Sequence, residues 1–246
     1  MKYCTKCIIP ETRPDQFLDK NGICNACKSY EKRKEINWDQ RLKKLKEIIN
    51  KNKNKSGKWD CVIPSSGGKD STYQAIRARE LGLNPVVVTA TTCDLADLGK
   101  KNISNLKNLG FDTFEISPNP KIRAKLNKLC LKEIGDIAWP EHVSIFTIPI
   151  RFALNYKIPM ILWGENPQFE YGGPDEKIHS NILDRAWLEE FGGLLGMRVS
   201  DLIESYGFNS EDLYPYTYPS EAELAEFKVL GLFLGHYEAW DNLRNA

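Results

Sequence analysis

Residues 59–82 read WDCVIPSSGGKDSTYQAIRARELG, and this stretch decides the fold. WDCVIP is a short apolar run of the kind that forms a buried strand, and SSGG supplies a turn. From Lys69 onward the polar and apolar residues alternate as on a helix, and Gly82 stands where a left-handed cap would end it. A strand, a glycine turn and a helix open an α/β unit. The turn itself, Ser66-Gly67-Gly68-Lys69-Asp70-Ser71, carries chemistry. Two glycines let the backbone fold tightly and present several N–H groups, the helix N-terminus adds its positive dipole end, and two serine hydroxyls and Lys69 complete an anion cradle that fits a polyphosphate. Its spacing matches neither G-x-x-x-x-G-K-[ST] nor G-x-G-x-x-G, which excludes the common ATPase loop and the dinucleotide fingerprint.

Moving outward, PVVVTATTC (85–93) reads as a buried strand, 97–109 as a helix stopped by Gly110, and FDTFEIS (111–117) as a third strand. Helices are expected at about 120–135 and 141–157. PMILWGEN (159–166) reads as a fourth strand opening into a polar loop, 184–206 as a helix interrupted at Gly192 and Gly193, and GLFLGHY (231–237) as a fifth strand. Regular alternation of strands and helices predicts a parallel sheet with helical crossovers.

Four of the seven cysteines cluster at the N-terminus. Cys4, Cys7, Cys24 and Cys27 form C-x2-C-x16-C-x2-C, two short thiolate hooks of the kind a tetrahedral zinc requires. The segment between the hooks has two prolines and too few apolar residues for a core, so the metal must supply much of its folding free energy. Gly22 and Asn25 are expected to take the unusual backbone angles of the second hook. A closed four-thiolate site leaves no position open for substrate, so residues 1–30 are expected to form a structural zinc ribbon. Cys61, Cys93 and Cys130 lie far apart, and Cys61 falls in a buried strand, where a thiol is inert.

The chain of 246 residues has a net charge of +1, which by itself does not announce a nucleic-acid binder. Residues 31–58 concentrate a local +7 and leave −6 to the rest. Trp38, Leu42, Leu45, Ile48 and Ile49 recur at helical spacing there, so this stretch reads as a basic amphipathic helix and linker whose lysines form a solvated face. Residues 59–246 then form the α/β domain. The N-terminus MKYCTKC holds no apolar stretch fit for a signal peptide, and no run suits a membrane span, which sets a cytoplasmic home as the expectation.

SGGKDS resembles the PP-loop of the N-type ATP pyrophosphatases, which split ATP between its α and β phosphates to adenylylate an oxygen of their substrate. The resemblance implies a doubly wound, five-stranded parallel sheet of the adenine-nucleotide hydrolase type. By match of position, Ser66, Gly67, Gly68, Lys69, Asp70 and Ser71 would hold the β and γ phosphates, with Asp70 near Mg²⁺. Thr89, Ala90 and Thr91, at the end of the second strand, would lie by the adenosine. The N-terminal ribbon together with WPEH (139–142), WGENPQFEYGG (163–173), YPSEAEL (218–224) and GLFLGHYEAWD (231–241) narrows the likeness. These segments are similar to the N-acetyl sugar amidotransferases of surface-polysaccharide biosynthesis, lipopolysaccharide O-antigen among them. In such enzymes ATP activates the acetamido oxygen of a nucleotide-linked sugar, and ammonia displaces AMP to leave an acetamidino group. Members usually extend further, so the resemblance implies a helical part beyond Ala246. It also implies a separate glutaminase and a synthase-like partner that supply ammonia, and an oligomer interface.

An amide oxygen is a poor nucleophile, so polar groups should converge on it beside the α-phosphate. Glu165, Asn166, Glu170 and Tyr171 sit in the loop leaving the fourth strand, at the sheet edge where open α/β folds bind ligands. Glu165 or Glu170 would take a proton from the attacking ammonia, while Asn166 and Tyr171 would orient the sugar amide beside the Gly172-Gly173 turn. His142 begins a helix, a place suited to a residue that passes a proton, and Arg151 is a candidate to meet the sugar diphosphate or to pair with a carboxylate. The competing expectation is a tRNA-thiolating PP-loop enzyme that passes sulfur through reactive cysteines and lays the 31–58 stretch on RNA.

Overall fold

A computed structural model describes residues 1–12, 16–54, 57–91, 95–164 and 197–239. Five parallel strands, β1 (Cys61–Pro64), β2 (Pro85–Ala90), β3 (Asp112–Ile116), β4 (Met160–Trp163) and β5 (Leu230–Phe233), form one sheet in the order β3-β2-β1-β4-β5. Around it run α1 (Asn25–Lys32), α2 (Trp38–Asn52), α3 (Lys69–Glu80), α4 (Asp97–Asn108), α5 (Pro120–Ile134), α6 (Trp139–Asn155), α7 (Val199–Tyr206), α8 (Glu221–Glu226) and α9 (Leu234–Tyr237). The predicted parallel α/β sheet is what the chain forms.

Both faces of the sheet are covered, which is why the strands read as continuous apolar runs. On one face Cys61, Ile63, Val87, Met160 and Leu162 pack with Ala75 and Ala78 of α3, Leu106 of α4, and Leu45 and Ile49 of α2. The apolar stripe of the basic helix α2 therefore belongs to the same core as β1. On the other face Val62, Val86, Val88 and Ile161 pack with Ile122 and Leu126 of α5 and Val143, Ile148 and Phe152 of α6.

The two crossover helices α3 and α4 end identically. Gly82 and Gly110 take φ of +78°, and the residue after each donates its N–H back to the helix, Leu83 to Ala78 O at 3.0 Å and Phe111 to Leu106 O at 3.2 Å. This is the Schellman closure, and it turns the chain sharply into β2 and β3. GLFLGHY departs from expectation. Only Leu230–Phe233 pairs with β4, and Leu234–Tyr237 closes into the single helical turn α9, with Glu238 N–H bonded to Leu234 O at 2.9 Å. All four of its residues are buried, so a continuous apolar run concealed the change of backbone. Of the helix expected over 184–206, residues 199–206 form α7, and residues 184–196 lie outside the described residues.

The strand order places β1 between β2 and β4, so the chain leaves β1 toward β2 and later returns on its other side at β4. That reversal is the topological switch point of an open α/β sheet, and the crevice beyond the strand ends there is where such folds take ligands.

Candidate active site

The phosphate loop leaves β1 at this switch point. Ser65, a residue the sequence motif did not single out, organises it from below. Its buried Oγ accepts the Gly67 N–H at 3.0 Å and donates to Ser71 Oγ at 2.9 Å. Ser71 Oγ and Thr72 Oγ1 both donate to Gly68 O, at 3.1 and 3.0 Å. The loop is therefore stiffened by its own hydroxyls. At Gly68, where α3 begins, no side chain caps the helix, which leaves the first-turn N–H groups for an anion. Gly67 has φ of +77°, and a Cβ there would come within 2.8 Å of Ile103 Cγ1 and 2.9 Å of Ile103 N. Only glycine fits both the angle and the space. Lys69 Nζ meets Asp70 Oδ1 at 2.7 Å at the mouth of the loop.

Above the loop lies a cavity of about 370 Å³. Ser66, Asp70, Ser71 and Gln74 line one wall, and Thr89, Ala90 and Thr91 from the end of β2 another. Ile145, Phe146 and Pro149 of α6, with Trp163, Gly164 and Phe233 from the ends of β4 and β5, close the far side. Of the residues predicted to serve one nucleotide, Ser66, Asp70, Ser71, Thr89, Ala90 and Thr91 border this cavity, while Gly67, Gly68 and Lys69 do not line it. Gln74 was not foreseen, although it follows Asp70 by four residues and Ser71 by three, the spacing of one helical face. Four buried polar atoms of lining residues, Gln74 Oε1, Thr89 Oγ1, Thr91 Oγ1 and Trp163 Nε1, have no hydrogen-bond partner among the described residues. Each of these atoms has almost no exposed surface, and leaving such atoms unpaired costs about 1–3 kcal/mol each.

Arg151 is placed elsewhere. Its buried guanidinium donates to Thr217 O at 2.7 Å, Tyr218 O at 3.4 Å and Glu223 Oε1 at 3.3 Å, and lies over the Tyr214 ring at 4.2 Å. It fastens residues 214–223 to α6 and does not border the cavity. His142 is half exposed, with Nδ1 3.8 Å from Asp136 Oδ2, one helical turn before the lining residues Ile145 and Phe146. Glu165, Asn166, Glu170, Tyr171, Gly172 and Gly173 lie outside the described residues. Burial pushes the thiols of Cys61 and Cys130 up, Cys130 to about 12, which leaves neither fit to carry sulfur at neutral pH. Cys93 lies outside the described residues.

The second candidate site is the cysteine cluster. The sulfur atoms of Cys4, Cys7, Cys24 and Cys27 all lie within 4.8 Å of one another, with Cys4 to Cys27 at 4.0 Å and Cys7 to Cys24 at 3.6 Å. Tetrahedral thiolates around zinc stand about 3.8 Å apart, so the donor set has the right size and chemistry. Backbone N–H groups of Lys6 and Cys24 point at Cys4 Sγ, at 3.4 and 3.3 Å, and the Cys27 N–H points at Cys24 Sγ at 3.3 Å. Burial and the neighbouring sulfurs push the Cys27 thiol up, as expected where several thiolates would crowd together without a cation. Gly22 takes φ of +74° as predicted, but Asn25 begins α1, and the first hook places Ile8 at φ of +56° instead.

No protein-family model matches the chain, and no curated protein matches it. Among solved structures, similarity is found to NMN synthetase from Francisella tularensis, with a TM-score of 0.40 and 16% identity over 77% of this chain and 82% of that one. A predicted subunit of tRNA methyltransferase from Methanocaldococcus jannaschii is similar with a TM-score of 0.33 and 22% identity, over 49% of this chain and 60% of that one. Both likenesses are too distant to carry an activity to this chain. Among the described residues no helix is long and apolar enough to cross a membrane.

Proposed function

We propose that the chain is an ATP-dependent, AMP-forming amidotransferase that converts the acetamido group of a nucleotide-linked sugar to an acetamidino group, for lipopolysaccharide O-antigen or a related surface glycan. The observation that supports the ATP-splitting half is the uncapped, hydroxyl-braced SGGKDS loop at the switch point, beside a cavity that the end of β2 also borders. The sugar-amide half is supported by the resemblance carried by WPEH, WGENPQFEYGG, YPSEAEL and GLFLGHYEAWD.

In the first step the acetamido oxygen attacks the α-phosphorus, the bond to the β-phosphate oxygen breaks, and pyrophosphate leaves. Backbone N–H groups of the loop and Lys69 stabilise charge on the departing pyrophosphate. A magnesium ion, when bound, would neutralise more of that charge, and Asp70 is the carboxylate that would hold it. In the second step ammonia adds to the imidate carbon and gives a proton to Glu165 or Glu170, and the carbon–oxygen bond breaks to release AMP. Ammonia would come from a separate glutaminase through a synthase-like partner.

The test is a nucleotide assay with ammonium salt as donor. ATP should become AMP and pyrophosphate only when a nucleotide-linked N-acetyl sugar is present, and Asp70→Ala should lower turnover at least a hundredfold in a folded protein. Formation of ADP, or AMP release that depends on tRNA and ignores every such sugar, would overturn the proposal.

A further inference from the structure

The hydroxyls beneath the phosphate loop can be accounted for proton by proton. Gly68 O accepts from the Thr72 N–H at 3.1 Å, from Thr72 Oγ1 at 3.0 Å and from Ser71 Oγ at 3.1 Å. A carbonyl oxygen has two lone pairs, so one of these three donors is surplus. The Thr72 N–H is fixed by the first turn of α3, and Thr72 does not line the cavity. Ser71 does line it, so its hydroxyl is the donor with a second place to go. Ser65 stands behind it. With its single proton on Gly68 O, Ser71 accepts at 2.9 Å from Ser65, whose own oxygen takes the Gly67 N–H at 3.0 Å. Ser65 is in turn anchored to the sheet, its N–H bonded to Val88 O of β2 at 3.0 Å.

We propose that Ser65 is a positioning residue for the nucleotide: it holds the Ser71 oxygen still from the sheet side, so that the Ser71 proton swings from Gly68 O to a phosphate oxygen. This deepens the function proposed above and rests on its ATP-binding half. The oxygen need not move, because a turn about the Cβ–Oγ bond carries the proton while the bond from Ser65 stays. The Gly68 carbonyl loses little, since the Thr72 N–H and hydroxyl still fill its two lone pairs. An anion is the partner that rewards the exchange. A hydrogen bond to a charged oxygen is roughly twice as strong as one to a neutral carbonyl, and the proton that Ser65 gives to Ser71 polarises that hydroxyl as a donor. The same turn of α3 offers N–H groups that no side chain caps, so the anion that draws the Ser71 proton is the one they would hold. Ser65, its own proton already committed, acts through Ser71.

The test measures affinity for ATP with magnesium chloride by titration calorimetry, without any sugar, for wild type, Ser65→Ala, Ser71→Ala and the double variant. Circular dichroism checks that each is folded. Ser65→Ala and Ser71→Ala should each weaken ATP binding about tenfold. The double variant should lose no more than about twentyfold, because Ser65 has nothing left to position once Ser71 has no hydroxyl. A Ser65 that merely braces the loop through Gly67 would multiply the two losses to about a hundredfold. That result, or wild-type affinity in Ser65→Ala, would overturn the proposal while leaving the ATP reading intact. If wild type itself binds no ATP, the ATP reading fails and this one falls with it. Should Ser65→Ala not fold, the isosteric Thr72→Val serves instead. It removes one of the three donors on Gly68 O from a residue that does not line the cavity, so the Ser71 hydroxyl is needed there. ATP should then bind about threefold more weakly, and the same change in the Ser71→Ala background should have no effect. Unchanged or tighter binding by Thr72→Val, or an equal loss in both backgrounds, would refute the exchange.

Discussion

The ribbon and the α/β domain are held together by opposite means. Among the described residues of the ribbon the buried apolar ones are Cys4, Cys24 and Ala26, with Ile9 and Leu18 partly covered, while Tyr3, Ile8, Phe17 and Tyr30 face solvent. In the domain two apolar layers sandwich a sheet whose central strands are buried except at their last residues. One region gathers four sulfurs around a point and the other spreads its stabilisation over two faces, so the same insult should affect them differently.

The largest effect should follow loss of the metal site that the four cysteines are suited to form. Zinc binding in small cysteine modules carries about 10–16 kcal/mol of apparent folding free energy. Cys4→Ser, or a strong chelator, should abolish a one-to-one zinc content and strip hydrogen-exchange protection from residues 1–35, with amides of β1, β2 and β4 unchanged. Loss of protection throughout would show that the ribbon and the domain fold as one unit. The converse comes next. Leu162 is fully buried in β4, and Leu162→Ala should cost the domain about 3 kcal/mol of unfolding free energy, read as a lower denaturant midpoint, while zinc content stays whole.

A third change acts at the loop. Gly67→Ala combines a left-handed backbone angle with a Cβ pressed against the backbone of Ile103, for about 2–3 kcal/mol. It should abolish AMP formation as well, since relief of the clash must shift either α4 or the N–H groups of the cradle. A variant as active as wild type would mean that this loop does not hold the phosphates.

These effects track what the sequence could and could not announce. The β1 to α3 unit was legible because it is local: an apolar run, two glycines and a capped helix lie within one stretch, and Gly67 and Gly82 take the angles their positions demand. The cysteine hooks were legible for the same reason. The partners of Arg151, Thr217, Tyr218 and Glu223, come from a distant segment, so nothing near it in sequence showed which groups its charge would meet. Ser65, Gln74 and the Phe146, Trp163 and Phe233 wall were hidden likewise, since strand order and helix packing bring them to the cavity. Gln74 left a signal in its helical spacing from Asp70, and Trp163 and Phe233 lay in segments already singled out, but nothing in the sequence showed that they would meet.

The smallest effect belongs to neither the ribbon nor the central sheet but to the segment Arg151 fastens, and it sharpens the contrast by being electrostatic. Ser220 caps α8, its Oγ accepting the Glu223 N–H at 3.2 Å, and the Glu223 carboxylate returns the contact by accepting the Ser220 N–H at 2.7 Å. That N–H, aided by the Ser220 hydroxyl and Arg151, holds the Glu223 carboxyl below its ordinary value of 4.5. A carboxyl depressed in the folded chain adds stability that is present above about pH 4.5 and is lost as pH falls through the lower, folded value. Glu223 is half exposed, so solvent screens its charge and the contribution stays well below 1 kcal/mol. Glu223→Gln should therefore flatten a shallow acid limb in the domain's unfolding midpoint and change nothing at pH 7 beyond a few tenths of a kcal/mol. An acid limb of the same depth in the variant would assign it to other carboxylates, of which Asp19 in the ribbon and Asp112 beside Lys58 are also held low by lysine partners.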